Sequence, residues 1–170
     1  PPKPAFLGPE HGAAWQDRDV AAAYHARPPY PDEVFGLLGR VLVDEPRVVL
    51  DLGCGNGRHA IYFAGQGFNA SGVDISPQAI EWARDWARRE RVAADFRVGD
   101  VTALPYGDRS FDVIVSHGVL DHMLMADARN TAIEAARVLR PGGLCYLDLR
   151  SADHFECGVG EGVAPHTFLV

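Results

Sequence analysis

The sequence feature with the clearest chemical potential is a glycine-rich turn between a short apolar run and a helical pattern. Gly53, Gly55 and Gly57 stand at alternate positions after Val48–Asp51. Because glycine has no Cβ, such a turn bends sharply and lets a ligand approach the backbone closely. In open α/β sheets, ligands bind at the carboxyl ends of the strands. The pattern therefore predicts a ligand-binding loop, and a tight turn that holds no ligand is the alternative.

Two acidic residues favour a ligand-binding loop because each ends a later predicted strand. Asp74 lies 23 residues after Asp51, where a carboxylate accepts hydrogen bonds from the two hydroxyls of a ribose. Asp100 ends the following strand, within reach of the same crevice. Asp74 also precedes Ser76-Pro77, a favourable helix cap and first-turn pair, so a local turn role is the alternative for this residue.

The surrounding sequence alternates between short β-branched runs and helical patterns. The predicted strands are Val48–Asp51, Ala70–Asp74, Phe96–Gly99, Asp112–Ser116 and Leu144–Leu149, and the predicted helices are 57–66, 77–90 and 127–140, the last closed by Pro141-Gly142-Gly143. Several of these strands are apolar without alternation, which is typical of strands covered on both faces. We therefore expect an α/β fold with a doubly wound, Rossmann-like parallel sheet and helices on both faces.

Five motifs in these elements together resemble the class I S-adenosylmethionine-dependent methyltransferases, over roughly residues 15–150. They are Leu50–Gly57, Val73–Ser76, Gly99–Val101 with Leu104–Tyr106, Phe111–Ser116 and Arg137–Gly143. The resemblance implies S-adenosylmethionine as the cofactor. It implies that the ribose hydroxyls lie against Asp74, the adenine amino group against Asp100 beside Val101, and the sulfonium against Ser116, with Ile75 also among the cofactor-binding residues. The methionine part is then lined by Asp51, Gly53, Cys54, Gly55, Asn56 and Gly57. Carboxylates suit the hydroxyl, amine and ammonium donors of such a ligand.

Two other functions fit part of this pattern. A nicotinamide-dependent oxidoreductase also has a strand, a glycine loop, a helix and a ribose-binding acid. Its fingerprint is Gly-x-Gly-x-x-Gly, however, whereas this sequence has Gly-x-Gly-x-Gly and places Arg58 where the third glycine belongs. A non-catalytic cofactor-binding module is the second alternative, and activity with a methyl acceptor distinguishes it from an enzyme.

The methyl acceptor is expected to be a small molecule rather than a nucleic acid. Enzymes that methylate base amines typically carry an Asn/Asp-Pro-Pro-aromatic motif after the fourth strand, where this sequence has Ser116-His117-Gly118-Val119. The chain contains 16 Lys and Arg against 23 Asp and Glu, for a net charge of −7. This is the wrong sign for a surface that follows a phosphate backbone.

Three side chains after the fourth predicted strand are candidate catalytic residues. Methyl transfer mainly requires that the acceptor and the methyl group are aligned, so a general base is optional. His117 is the first candidate base because it follows the strand directly, with Asp121 as its orienting group. His122 is the third candidate, and a satisfied, partly buried histidine is the alternative for it.

The N-terminal 46 residues are predicted to form helices that cover the cofactor cleft as a lid. Tyr24 and the stretch Arg27–Pro31 resemble the leading segment of small-molecule methyltransferases. The resemblance therefore places Tyr24 and Arg27 among the cofactor-binding residues. A buried stripe of an amphipathic helix is the alternative for Tyr24.

The whole chain, residues 1–170, is expected to be one domain, with the N-terminal helices in 1–46, the cofactor-binding core in 47–150 and a short segment in 151–170. Family members close the sheet with an antiparallel hairpin, and only the start of one, at Gly160–Phe168, is discernible here. The hairpin is expected to be incomplete and the chain truncated. The sheet edge at Leu144–Leu149 is then exposed and a candidate for homo-oligomer formation.

Cysteine usage and hydropathy indicate a cytoplasmic protein without a metal site. Cys54, Cys145 and Cys157 are scattered, with no CxxC pair and no histidine at ligand spacing, so neither a disulfide framework nor structural zinc is expected. No apolar run approaches the ~20 residues of a membrane span. The first residues, Pro1–Pro4, lack the apolar core of a signal peptide.

Overall fold

The computed structural model describes residues 47–149, 161–164 and 167–169, together with the helical residues Glu33 and Gly36. Five strands form one sheet: β1 (Val48–Leu52), β2 (Asn69–Asp74), β3 (Ala94–Val98), β4 (Phe111–Ser116) and β5 (Leu139–Leu147). Three helices connect them: α1 (Arg58–Gly65), α2 (Pro77–Glu90) and α3 (Met125–Val138), the last preceded by a 3₁₀ turn at Leu120–His122. Tyr24 and Arg27, with most of the predicted lid, lie outside the described residues.

The sheet is parallel throughout, with the strand order β3-β2-β1-β4-β5. The chain moves outward from β1 to β3 and then returns to place β4 on the other side of β1. The strand order therefore reverses between β1 and β4, where open α/β sheets leave a ligand crevice. The doubly wound sheet predicted from the sequence is confirmed.

Helices cover both faces of the sheet because successive strand residues point to opposite sides. Val49 of β1 packs with Ala60 of α1 and Ile80 of α2 on one face. Leu50 of the same strand packs with Ala135 of α3 on the other face. The apolar strands without alternation are thus explained by burial on both sides.

An ion-pair network ties α3 to the loop before β4. Arg137 donates to Glu134 (2.7 Å) and to the carbonyl oxygen of Tyr106 (2.9 Å), while Glu134 accepts from the backbone N–H of Leu104 (2.7 Å). Hydrogen bonding to Arg137 lowers the pKa of Glu134 from its ordinary value. Arg137 therefore has a structural role at the edge opposite the strands' carboxyl ends.

The prediction that Pro141-Gly142-Gly143 closes a helix at residue 140 is wrong. α3 ends at Val138, and Leu139 already pairs with Phe111 in the parallel sheet. Residues 140–143 then bulge opposite the single residue Asp112, because the register passes from Leu139 to Leu144. Arg140 fixes the bulge by donating to Asp112 at 2.7 Å.

The C-terminal part described by the structure is an antiparallel hairpin of β6 (Glu161–Ala164) and β7 (Thr167–Leu169). The hairpin start expected at Gly160–Phe168 is therefore present. β5 is an edge of the five-stranded sheet, and Tyr146 and Leu149 near its end are 46% and 70% exposed. The predicted homo-oligomer through this edge stays a prediction. Among the described residues, no helix has the length and apolar character needed to cross a membrane.

Gly57 and Gly67 provide a test of how closely α1 packs on the sheet. Both have left-handed backbone, with φ of 84° and 85°. A Cβ at Gly57 would lie 2.7 Å from the Phe96 ring and 2.9 Å from Ala83 Cβ, whereas a Cβ at Gly67 would meet none of the described residues within 4 Å. We expect Gly67→Ala to cost about 1–2 kcal/mol of unfolding free energy through backbone strain. Gly57→Ala should cost a further ~1–3 kcal/mol through overpacking.

Urea unfolding of the two variants and the parent measures this difference. Because the strain is matched, the excess loss in Gly57→Ala reports the overlap with Phe96 and Ala83 alone. Equal losses in the two variants would contradict the close packing.

Candidate functional site

A crevice at the carboxyl edge of the sheet collects one ionisable side chain from each strand. Asp51 lies in β1, Asp74 ends β2, and Asp100 follows β3. His117 follows β4 and Asp148 follows β5. All five strands are parallel, so these side chains share one edge of the sheet. The sequence-predicted acids and the first candidate base are therefore brought together.

The glycine loop between β1 and α1 exposes bare backbone to this crevice. The N–H of Cys54 donates to the carbonyl oxygen of Val73 on β2 (3.0 Å), and the N–H of Gly57 donates back to Cys54 (2.8 Å). Gly55, between them, has a φ of 52°, and a Cβ there would meet no atom of the described residues within 4 Å. The inner side of the loop is thus closely packed, and its outer side is open with respect to the part of the chain that the structure describes.

Asp74 joins the glycine loop to the end of β2. One carboxylate oxygen accepts from the N–H of Gly55 and the other from the N–H of Ser76, both at 2.8 Å. Burial raises the pKa of this carboxyl from its ordinary value, and the two backbone donors oppose that rise. Each oxygen keeps a further lone pair for a ligand donor. Asp74 therefore stabilises the turn before α2 and can still accept hydrogen bonds from a ligand. Ile75, which follows it, is half-exposed.

Asp100 also makes local bonds at the end of its strand. Its Oδ1 accepts from the N–H of Thr102 at 2.9 Å and from the Thr102 hydroxyl at 2.7 Å. Val101 is buried and belongs to the core on the α3 face, with Leu104 and Phe111. Asp100 is thus held at the crevice, while Val101 supports it from the core.

Two buried polar atoms near the carboxyl ends of β1 and β4 have no hydrogen-bond partner in the described part of the chain. They are Oδ2 of Asp51 and Oγ of Ser116, in side chains that are 1% and 0% exposed. They lie on opposite faces of the sheet, because Asp51 is aligned with Val115 and Ser116 with Leu52. Buried polar atoms are nearly always bonded in native proteins, so Oδ2 of Asp51, on the face covered by α1, points to a ligand. Asn56, predicted at the same place, is buried in the loop.

His117 is paired with Asp148, a partner that the sequence did not predict, and the orienting role predicted for Asp121 stays a prediction. Its Nδ1 lies 2.5 Å from Oδ2 of Asp148, whose Oδ1 accepts from the N–H of Gly118 at 2.7 Å. Ser116 and Leu147 are paired in the sheet, so the residues that follow them lie side by side. Asp121 comes later, in the 3₁₀ turn, and its Oδ2 is 3.9 Å from Nε2 of the half-exposed His122.

Sequence reasoning missed two residues of this site, Asp148 and His59. The predicted strand ran to Leu149, which placed Asp148 inside it, whereas β5 ends at Leu147. His59 lies in the first turn of α1, with Nδ1 3.5 Å from Oδ2 of Asp51 and its ring 5.9 Å from the ring of His117. Two sequence features could have identified these residues as part of the site. Asp148 lies at a strand end, and His59 lies directly after the glycine loop.

Cys54 of the loop is buried and has the chemistry of a packing residue. Burial raises the pKa of its thiol well above the ordinary value, and the carboxylates of Asp51 and Asp74 raise it further. A thiol held in the neutral form is a poor nucleophile. A Cβ on Gly72 would meet its sulfur at 2.8 Å, so the space around this side chain is tight.

The fold and the crevice define a Rossmann-like α/β domain whose ligand edge is lined by carboxylates and imidazoles. Residues 50–147 match the family model described as a methyltransferase domain, and the chain belongs to that methyltransferase family.

Known relatives agree with this assignment. A 27-O-demethylrifamycin SV methyltransferase from Amycolatopsis mediterranei is 37% identical over 81% of this chain and 49% of its own length. A 2-methyl-6-phytyl-1,4-hydroquinone methyltransferase from Synechocystis is 41% identical over 58% of this chain and 30% of its own length. The crystal structure of an S-adenosylmethionine-dependent methyltransferase from Methanosarcina mazei superposes with a TM-score of 0.60 at 30% identity, over 69% of this chain and 57% of that chain.

The chain spans about half or less of the length of the curated relatives it matches. The matches confirm the family resemblance and the Rossmann-like fold. They also confirm S-adenosylmethionine as the cofactor of the family to which the resemblance pointed.

The two described cysteines should differ in their reactivity towards iodoacetamide. Burial raises the pKa of both thiols, but Cys145 is exposed whereas Cys54 is buried beside two carboxylates. We expect Cys54 to be alkylated at least about tenfold more slowly at pH 8, because less of it is thiolate and less is accessible. Peptide mapping by mass spectrometry follows each cysteine separately. Equal rates in the folded protein, or a faster reaction at Cys54, would contradict the buried, neutral thiol.

Proposed function

We propose that this protein transfers a methyl group from S-adenosylmethionine to a hydroxyl group of a small-molecule acceptor. The observation that carries the proposal is the open backbone at Gly55 beside the buried Oδ2 of Asp51, which has no hydrogen bond among the described residues. A ligand that brings an ammonium donor to this loop satisfies that oxygen. The hydroxyl acceptor follows the O-methylation named for the Amycolatopsis relative.

The residues of the crevice fit the cofactor group by group. Asp51 offers the ammonium a carboxylate oxygen. Asp74 keeps acceptor capacity for the ribose hydroxyls after bonding Gly55 and Ser76. We assign the adenine amino group to Asp100, whose Oδ1 accepts from the N–H of Thr102. Val101, Asn56 and Ser116 stay predictions as cofactor contacts, as do Tyr24 and Arg27 of the predicted lid.

Three sequence features support a small-molecule acceptor rather than a nucleic acid, and a location in the cytoplasm. After β4 the chain has Ser116–Val119 instead of the motif that binds base amines. The net charge of −7 disfavours a polyanionic partner. The scattered cysteines suit a reducing compartment.

In the proposed mechanism, His117 receives the proton of the acceptor hydroxyl. The cofactor, when bound, would supply an electrophilic methyl group, so that the bond from the acceptor oxygen to the methyl carbon forms as the carbon–sulfur bond breaks and S-adenosylhomocysteine leaves. Asp148 accepts from Nδ1 of His117, which fixes the tautomer that leaves Nε2 as the proton acceptor. The N–H of Gly118 bonds the other oxygen of Asp148 and prevents the carboxylate from rotating. The imidazole is thereby oriented before an acceptor arrives.

Gly55→Ala should abolish tight binding of S-adenosylhomocysteine without unfolding the protein. The new Cβ points into the open space that the ligand needs, while the backbone strain equals that in Gly67→Ala. We expect a loss of at least ~10-fold in affinity by calorimetric titration, and parental affinity in Gly67→Ala, which shares the strain at about 1–2 kcal/mol. Titration with a nicotinamide dinucleotide in parallel distinguishes the oxidoreductase alternative. Parental affinity in Gly55→Ala would exclude this loop as the cradle.

His117→Asn should lower kcat by about 10²-fold while the affinity for S-adenosylhomocysteine is kept, because the general base is lost and the cofactor contacts are not. Asp148→Asn should lower kcat less, and the double variant no further than His117→Asn, since the pair acts as a unit. Turnover is followed as S-adenosylhomocysteine formation with a hydroxylated aromatic acceptor found by screening. Asp95→Asn, on the exposed surface of β3, is the control. Unchanged turnover in His117→Asn would make this histidine structural.

A further inference from the structure

The carboxylate of Asp51 has an incomplete environment in the cofactor-free protein. Its side chain is 1% exposed, and Oδ2 has no hydrogen bond among the described residues. A buried carboxylate is costly unless a positive charge or hydrogen-bond donors compensate it. Within the described ranges, its one ion-pair partner is His59, at 3.5 Å from Nδ1 to Oδ2. That distance permits charge compensation but is too long for a good hydrogen bond.

His59 is placed to compensate this charge only while no other cation is present. It lies in the first turn of α1, directly after the glycine loop, and its ring meets that of His117 edge to face at 5.9 Å. The neighbouring titratable groups, by their place in the fold, are Asp74 at the end of β2, Cys54 in the loop, His117 and Asp148 after β4 and β5, and Arg58 and Tyr62 on α1 beside His59 in the sequence. No three His, Cys, Asp or Glu side chains in the described ranges are grouped to hold a metal ion.

We propose that His59 is a positioning residue of the cofactor site, which holds Asp51 in the free protein and yields its place to the cofactor's ammonium group. The proposal rests on the proposed function, because it requires that the ammonium bind at Asp51. Its consequence is that cofactor binding expels one proton from the Asp51–His59 pair to solvent.

The proton balance does not depend on which of the two side chains carries the proton. While the free pair holds one proton, as carboxylate with imidazolium or as carboxylic acid with imidazole, that proton belongs to the pair as a whole. When the ammonium binds, a second cation beside it is disfavoured, and the pair becomes carboxylate with neutral imidazole. No covalent bond is made or broken.

This exchange makes cofactor affinity depend on pH with a defined sign. Since binding releases a proton, affinity rises with pH while the pair is protonated and becomes constant once the pair has lost its proton. The limiting slope is about tenfold in affinity per pH unit. 5′-Methylthioadenosine carries the adenosine part without the ammonium, so its affinity should not change over the same range.

The experiment is calorimetric titration of the full chain with S-adenosylhomocysteine and with 5′-methylthioadenosine. It is done between about pH 5.5 and 7, below the titration of α-amino groups near pH 8. Two buffers of different ionisation enthalpy give the number of protons released. We expect release of up to about one proton at the acid end with S-adenosylhomocysteine and none with 5′-methylthioadenosine.

Two variants assign the proton to its residue. His59→Gln should bind 5′-methylthioadenosine like the parent and S-adenosylhomocysteine with an affinity independent of pH. His117→Asn should keep the proton release. Binding that persists without pH dependence in the parent, or proton release retained in His59→Gln, would overturn this inference and leave the proposed function intact. Absence of S-adenosylhomocysteine binding at every pH would overturn both.

Discussion

The crevice depends on one carboxylate, that of Asp74, which joins the glycine loop to the end of β2. Its two oxygens accept from the N–H groups of Gly55 and Ser76, and both bonds measure 2.8 Å. One bond sets the open side of the loop and the other sets the turn that leads into α2, where Ser76 caps the helix. Burial raises the pKa of this carboxyl, and the backbone donors that oppose the rise also fix its orientation. The acceptor is therefore preorganised by main-chain atoms, which are hard to displace.

At the opposite edge of the sheet, ion pairs and their hydrogen bonds hold neighbouring strands and loops together. Asp112, near the start of β4, accepts from the N–H of Val48 at 2.8 Å and from Arg140 at 2.7 Å. Arg137 and Glu134 bind the carbonyl and N–H groups of the loop before β4. These pairs satisfy backbone groups and connect neighbouring strands. The motif from Arg137 to Gly143 is thus explained by the architecture, while the chemistry lies at the carboxyl ends of the same strands.

Much of the fold could be predicted because burial imposes simple patterns on parallel strands. The order of elements and the acids at the ends of β2 and β3 follow from apolar runs and their boundaries. The partner of His117 did not follow, because it depends on where β5 ends and on the bulge that places Leu144 opposite Val113. His59 was missed because a helix residue faces a particular carboxylate only once the helix is docked on the sheet. The local sequence predicts where strands end, but it does not predict how neighbouring strands are aligned.

Two carboxylate–imidazole pairs meet over the end of β4, and the difference between them gives each a separate part in the chemistry. Asp148 has a backbone donor on one oxygen and His117 at 2.5 Å on the other, so its bonding is complete. Among the described residues, Asp51 has only the longer contact to His59, so the bonding of its Oδ2 is incomplete. A satisfied pair orients its imidazole, whereas an unsatisfied pair exchanges its partner for a better donor. The two rings are 5.9 Å apart, so under the proposed exchange a change of charge on one imidazole acts on the other. Occupation of the cofactor side of the crevice then changes the field in which the acceptor's proton is taken up.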